Sequence, residues 1–288
     1  YGDEIRRSGC ADGGLAPGAG YLMRLIAVIL TLFVSTAPLQ AEERVDRLLL
    51  ALQLDQVIDI LREEGQILGQ NLQETFLDHK GGPVFLDQVD RIYDADKMRL
   101  HVEEVFEGTL TDKQLDQAIL FFESELGQTL VSLELSARVA LSDETIEEMA
   151  QDTYKNADRD ADLYRLVDEY IQVNNLIEEN VQNSISADYN FFRGLNIGAG
   201  QNEAELLTQL FGQKDSTTEE TRTWLYSFFL LAYKPLSDAQ MRENIAFSRT
   251  ETGKAVNTAL FESFDQMFDA IYFQLGEAVA QVLKGSDL

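Results

Sequence analysis

Residues 110–127 read LTDKQLDQAILFFESELG, and residues 236–253 read LSDAQMRENIAFSRTETG. At an offset of 126 the two stretches share Leu110/Leu236, Asp112/Asp238, Gln114/Gln240, Ile119/Ile245, Phe121/Phe247, Glu125/Glu251 and Gly127/Gly253. Thr111/Ser237, Leu115/Met241 and Ser124/Thr250 differ conservatively. A repeat spaced this widely points to two copies of one folding unit. Each stretch also states its secondary structure. Thr111 and Ser237 stand three residues before Gln114 and Gln240, the spacing of a capping box at a helix start. Ser124 and Thr250 then cap a second helix, with Glu125 or Glu251 in its first turn. Gly127 and Gly253 occupy the third position of that helix, where glycine is costly. Their recurrence predicts a backbone passing close by.

The rest of the chain extends this helical reading. Leu54, Val57, Ile58, Leu61, Leu68, Leu72 and Phe76 follow the i, i+3, i+4 rule. Leu260, Phe264, Met267, Ile271, Leu275, Ala278 and Val282 do the same, and Phe261, Phe268 and Tyr272 widen the stripe. After residue 41 only Pro83 and Pro235 remain. Each marks a break, at Lys80-Gly-Gly-Pro83 and at Tyr233-Lys-Pro-Leu-Ser237. Ser142-Asp143-Glu144 reads as a further helix start. Trp224 to Tyr233 is apolar apart from Ser227 and too short to span a bilayer, so it predicts a buried helix. Upstream, Gln53 to Asp59 pairs with Gln172 to Glu178 at an offset of 119. The expected fold is all-α, with two tandem similar multi-helix units at 42–160 and 161–288 forming a helical bundle or array.

The N-terminal part is different in kind. Met23 and Arg24 precede the apolar run Leu25 to Phe33, and small residues follow up to Ala41. That is the layout of a secretory signal peptide, expected over 23–41. Residues 1–22 read as upstream sequence outside the natural protein. The expected location is the periplasm, in soluble form.

The 288 residues carry a formal net charge of −27. Residues 42–288 keep that charge, because Arg6, Arg7 and Arg24 balance Asp3, Glu4 and Asp12. A surface this acidic repels phosphate backbones, so no nucleic acid is expected as a partner. The single cysteine, Cys10, precedes the apolar run, and the remainder has no thiol for a disulfide or a zinc site.

The motif Phe121-Phe-Glu-Ser-Glu-Leu-Gly127, repeated as Phe247-Ser-Arg-Thr-Glu-Thr-Gly253, resembles the hallmark of the domain of unknown function 2059 family. The resemblance extends over most of residues 42–288, with the motif occurring twice. It implies a bacterial, exported, all-helical protein. That family has no established activity, so the resemblance implies no catalytic residues.

Chemistry read from the residues is sparse. His79 sits between Asp78 and Lys80 and reads as a solvated loop residue. His101 reads as a helix-surface or boundary residue. Asp158, Asp160, Asp162 and Glu169 copy the acidic skeleton of an EF-hand loop, but Leu163 stands where glycine is wanted and Arg165 where an apolar residue is usual. An acidic linker and helix start is the preferred reading, with a calcium-responsive module as the alternative. Carboxylate pairs are too numerous to single one out, and paired-acid hydrolysis needs two of them in one cleft. Trp224, Tyr226, Phe228, Phe229 and Tyr233 read as core, or as the lining of an apolar cavity or partner groove. No catalytic, cofactor-binding or metal-ligating residue is assigned, and no cofactor is expected. The functional expectation is a non-enzymatic binding or envelope accessory protein acting on a protein or apolar ligand. A carboxylate-dependent hydrolase is the alternative.

Overall fold

The structure is a computed structural model that describes residues 41–195 and 203–285. The expected upstream segment and the signal peptide up to residue 40 lie outside the described residues, as does the stretch 196–202. Among the described residues every regular element is an α-helix. The first half holds α1 (Ala41–Ala51), α2 (Leu54–Thr75), α3 (Gly82–Ile92), α4 (Ala95–Thr109), α5 (Asp112–Phe122) and α6 (Glu125–Ala140). A connecting helix, α7 (Glu144–Lys155), follows. The second half holds α8 (Asp162–Val173), α9 (Leu176–Leu195), α10 (Glu203–Gly212), α11 (Lys214–Ala232), α12 (Asp238–Ser248) and α13 (Glu251–Gly285). No helix among the described residues is long and apolar enough to cross a membrane.

The helix starts have the capping chemistry their residues dictate. Thr111 and Ser237 each accept from the backbone N–H three residues on, and Gln114 and Gln240 reach back to the cap backbone. Asp143 accepts from the backbone of Thr145 and Ile146 and starts α7. The break before Pro83 is wider than the sequence suggests. Helix α2 ends at Thr75, and Asp78 and His79 adopt left-handed backbone before Gly82.

The Phe-x-x-Ser/Thr-x-x-Gly motif builds a tight corner between two helices. The Thr250 hydroxyl donates to the Phe247 carbonyl at 2.7 Å and accepts from the Gly253 N–H at 2.9 Å. Ser124 does the same between Phe121 and Gly127, at 3.3 and 3.1 Å. One hydroxyl therefore satisfies the last carbonyls of one helix and the first N–H groups of the next. The backbone that crowds Gly253 belongs to the motif itself. A Cβ at Gly253 would stand 2.2 Å from the Phe247 oxygen.

The two halves share a packing pattern. Helix α1 packs on α5, α4 and α2, and α8 packs on α12, α11 and α9. Helix α2 meets α3 and α4, as α9 meets α10 and α11. A left-handed residue joins the first two helices of each half, Gln53 at φ 51° and Asn175 at φ 53°. The backbone thus pairs Gln53 with Asn175, where the residues alone pair it with Gln172. The last helix of each half then crosses over, with α6 packing on α11 and α13 on α4. At the crossing Phe121 stacks face to face on Phe247, ring centroids 3.5 Å apart. Within the second half α13 lies so close to α9 that a Cβ at Gly194 would meet the Phe273 carbonyl at 2.1 Å, and one at Gly276 the Phe191 carbonyl at 2.1 Å.

A salt bridge marks the same place in both halves with its charges exchanged. Arg47 of α1 pairs with Glu123 at the end of α5 at 2.5 Å. Glu169 of α8 pairs with Arg249 at the end of α12 at 2.7 Å. Reversing Arg47 alone should cost about 1 kcal/mol through like-charge contact, and the double exchange Arg47→Glu with Glu123→Arg should recover most of it, since α8 and α12 already use that polarity. Gly253→Ala should destabilise by about 1–3 kcal/mol through overpacking against backbone. Gly108→Ala, where a Cβ meets nothing within 4 Å, should instead stabilise by up to about 1 kcal/mol. Urea denaturation of the variants measures both comparisons.

Candidate functional site

The sequence-selected residues do not converge. His79 is exposed in the turn after α2. His101 is half-buried on α4, and its Nε2 is buried without a hydrogen-bond partner among the described residues. The acidic run does not form a twelve-residue loop, because α8 begins at Asp162 and takes in the second half of it. Arg165 turns back to pair with Asp162, Asp168 accepts from the Tyr226 hydroxyl, and Glu169 holds Arg249. Among the described residues no group of three or more His, Cys, Asp or Glu side chains is placed to hold a metal ion. The aromatic run lies in the core. Trp224, Tyr226, Phe228, Phe229 and Tyr233 are all buried, and Trp224 stacks on Phe228 at 5.0 Å.

Two buried polar clusters were not legible as sites. The first joins α6 to the second half. Glu134 faces inward from α6 and accepts from the Tyr233 hydroxyl. The Asn244 amide donates to the same hydroxyl at 3.5 Å, and Tyr170 packs edge-on to the Tyr233 ring at 5.6 Å. Burial pushes the Glu134 carboxyl well above the usual range, against a smaller opposing effect of the Tyr233 hydrogen bond. Tyr170 and Tyr233 are likewise pushed up by burial, with the neighbouring Glu134 adding to it. Desolvation thus disfavours the charged form of all three groups, and the Glu134–Tyr233 hydrogen bond satisfies both polar side chains in this part of the core.

The second cluster lies between α2, α6, α9 and α13. Arg138 holds Glu64 with two parallel hydrogen bonds, at 3.0 and 2.6 Å. Burial lowers the Arg138 pKa to about 10 and raises that of Glu64, while each partner opposes the shift of the other. The hydroxyls of Tyr93 and Tyr272 are buried without hydrogen-bond partners among the described residues. Both phenols are pushed up by burial, and then by Glu64 for Tyr93 and by Tyr93, Asp188 and Glu64 for Tyr272. Asp188 itself is raised to about 6 by desolvation. This is the densest grouping of perturbed titratable side chains, and it is drawn from both halves.

A third acidic group lies on the facing sides of α9 and α13. Asp265 is raised to about 6, first by desolvation and then by Asp269 and Glu179. Ser186 donates to Asp269 at 2.7 Å. Three half-buried carboxylates, Asp265, Asp269 and Glu179, thus stand together here. A hydroxyl hydrogen-bonded to one acid beside a second, partly protonated acid could support general acid–base chemistry.

The corner built by Phe121, Ser124 and Gly127 lies within a segment that matches a known family. Residues 96–155 match the family described as uncharacterized proteins conserved in bacteria, DUF2059. The match runs from α4 through α7 and includes the first copy of the motif but not the second. It is narrower than the resemblance implies, because only the first copy of the motif lies within it. Comparison with curated proteins finds no match, and neither does comparison with solved structures.

The pH dependence of stability follows from Glu134. Its folded pKa lies above its unfolded value, so its contribution is complete below about pH 4.5 and is lost as pH rises towards the folded pKa. Over that interval wild type should lose about 1.4 kcal/mol per pH unit relative to Glu134→Gln, which has no proton to release. Urea titrations of both proteins at pH 5, 6 and 7 measure the difference. A constant gap between the two would contradict the assignment.

Proposed function

We propose that this chain is an exported bacterial helical protein that acts by binding, as a non-enzymatic accessory protein of the cell envelope. One observation carries the reading. The family-matched segment holds Leu100, Leu120, Val139, Ile146 and Met149, all large apolar side chains left on the surface, with Met149 66% and Val139 57% exposed. Helix α7 divides its faces accordingly. Ala150 and Tyr154 turn inward, Ile146 lies at the edge of that face and is 38% exposed, and Met149, three residues on, stands outward beside it. Val139 lies just before the tight turn at 141–143 that leads into α7. Apolar side chains grouped along one helix and its preceding turn suit a protein or apolar ligand better than water. The export reading rests on the Met23 to Ala41 pattern, and the tandem-unit reading on the shared helix order and motif. The location in this proposal is the periplasm, without a membrane span.

A carboxylate-dependent hydrolase is the second reading, favoured by the raised Asp265 beside Asp269 and Ser186. The two are separated by a photocrosslinking residue placed at position 149 and expressed in a Gram-negative host. The binding reading expects the protein in the osmotic-shock fraction and one dominant adduct. That adduct should disappear with Ile146→Asp while the melting temperature is unchanged. The reading fails if the protein remains in the cytoplasmic fraction, or if no adduct responds to Ile146→Asp. Hydrolysis in a broad substrate screen that Asp265→Asn abolishes would establish the second reading.

A further inference from the structure

The turn between the two halves carries Arg159, with Asp158, Asp160 and Asp162 around it. A basic side chain in that company would be expected to pair with a carboxylate. Among the described residues no acid stands within ion-pairing distance of it. Its guanidinium lies instead over two tyrosine rings, 4.5 Å from the centroid of Tyr154 and 4.5 Å from that of Tyr164. Tyr226 stacks on both of those rings, at 5.0 and 5.4 Å, with interplanar angles of 21° and 17°. Three near-parallel rings from α7, α8 and α11 and one guanidinium thus close a four-membered ring of contacts.

We propose that Tyr154, Tyr164 and Tyr226 form a binding slot for a guanidinium group carried by a ligand or partner, and that Arg159 is its resident, displaceable occupant. The walls are carried by helices, Tyr154 by α7, Tyr164 by α8 and Tyr226 by α11. Tyr154 and Tyr226 are buried, and the Tyr226 hydroxyl donates to Asp168. The occupant belongs to the least structured part of the junction. Arg159 is exposed, and its segment is held by an Asp160 N–H to Asp158 Oδ1 hydrogen bond rather than by helix. It can therefore leave without unwinding α7 or α8. Tyr164 is only half-buried, so the slot opens to solvent beside Arg159. Aromatic faces attract a weakly hydrated planar cation more than a compact ammonium. Glu219 acts on Tyr154 electrostatically, and the exposed Asp158 and Asp160 flank Arg159 in the chain, so the junction carries negative charge that draws cations towards it.

A tethered occupant lowers the apparent affinity for any competitor by the fraction of time the slot is free. If Arg159 is seated about nine-tenths of the time, removing it strengthens guanidinium binding about tenfold. The test follows the ring resonances of Tyr154 and Tyr164 by NMR while N-acetyl-arginine amide is titrated into wild type and Arg159→Ala. The expected result is an affinity about tenfold higher in the variant, lost on adding Tyr164→Ala, with N-acetyl-lysine amide several-fold weaker. Methylguanidinium and an Ala-Arg-Ala peptide distinguish the source of the cation. Tighter binding of the peptide points to a protein partner, and equal binding to a free small molecule. No response of either ring in the folded variant overturns the proposal. Equal affinity in wild type and variant does so too, as does equal binding of the lysine compound. Should Arg159→Ala fail to fold, Arg159→Gln takes its place in the same comparison.

Discussion

Phe121 and Phe247 sit at the ends of two helices that occupy the same place in the two halves, and they stack on each other. When equivalent residues touch, the units that carry them face each other about a local two-fold relation, as in an isologous dimer. The crossing of the last helices obeys the same relation, since α6 lies on α11 and α13 lies on α4. Each half contributes a helix to the other, so neither half completes its core alone. The corner motif sets this up. By holding the Phe carbonyl, the Ser or Thr hydroxyl and the Gly N–H in one compact turn, it fixes the direction in which α6 and α13 depart.

That reciprocity explains where the polar core groups lie. Glu134 is on the crossing helix α6 and reaches Tyr233 at the end of α11. Arg138, one turn further on the same helix, reaches Glu64 of α2. One face of α6 therefore ties both halves together through side chains that are costly to bury singly and stable only when each has its partner. Such ties specify how the helices meet more than they add to stability. They also place two acids with raised pKa values, Glu134 and Glu64, in the interior.

Much of this architecture could be read from the residues because helices declare themselves locally. Capping boxes at Thr111 and Ser237, the Asp143 cap and the proline breaks are short-range chemistry. The apolar run from Trp224 reads as buried by composition alone. Partners across 70 or more residues could not be read that way. Nothing near Glu134 announces Tyr233, and nothing near Arg138 announces Glu64. The acidic run at 158–169 was legible as a linker and helix start for the same local reason. Its spacing suits a calcium loop, but the helical pattern from Leu163 onward prevails and sends its carboxylates to Arg165, Tyr226 and Arg249. The pairing of Gln53 with Asn175 is also hidden, because a left-handed backbone is shared there and a residue type is not.

The exchanged salt bridges bear on how a chain with two look-alike halves folds to one arrangement. Docking α1 against α12 would bring Arg47 to Arg249, and docking α8 against α5 would bring Glu169 to Glu123. Both wrong pairings set like charges together, and both right ones set opposite charges together. Two segments of similar pattern with one kind of interface invite mispairing with each other. With the polarity reversed between the halves, each first helix meets opposite charge only at its own partner, so the bridges favour the native pairing over the exchanged one even though such pairs contribute little to stability.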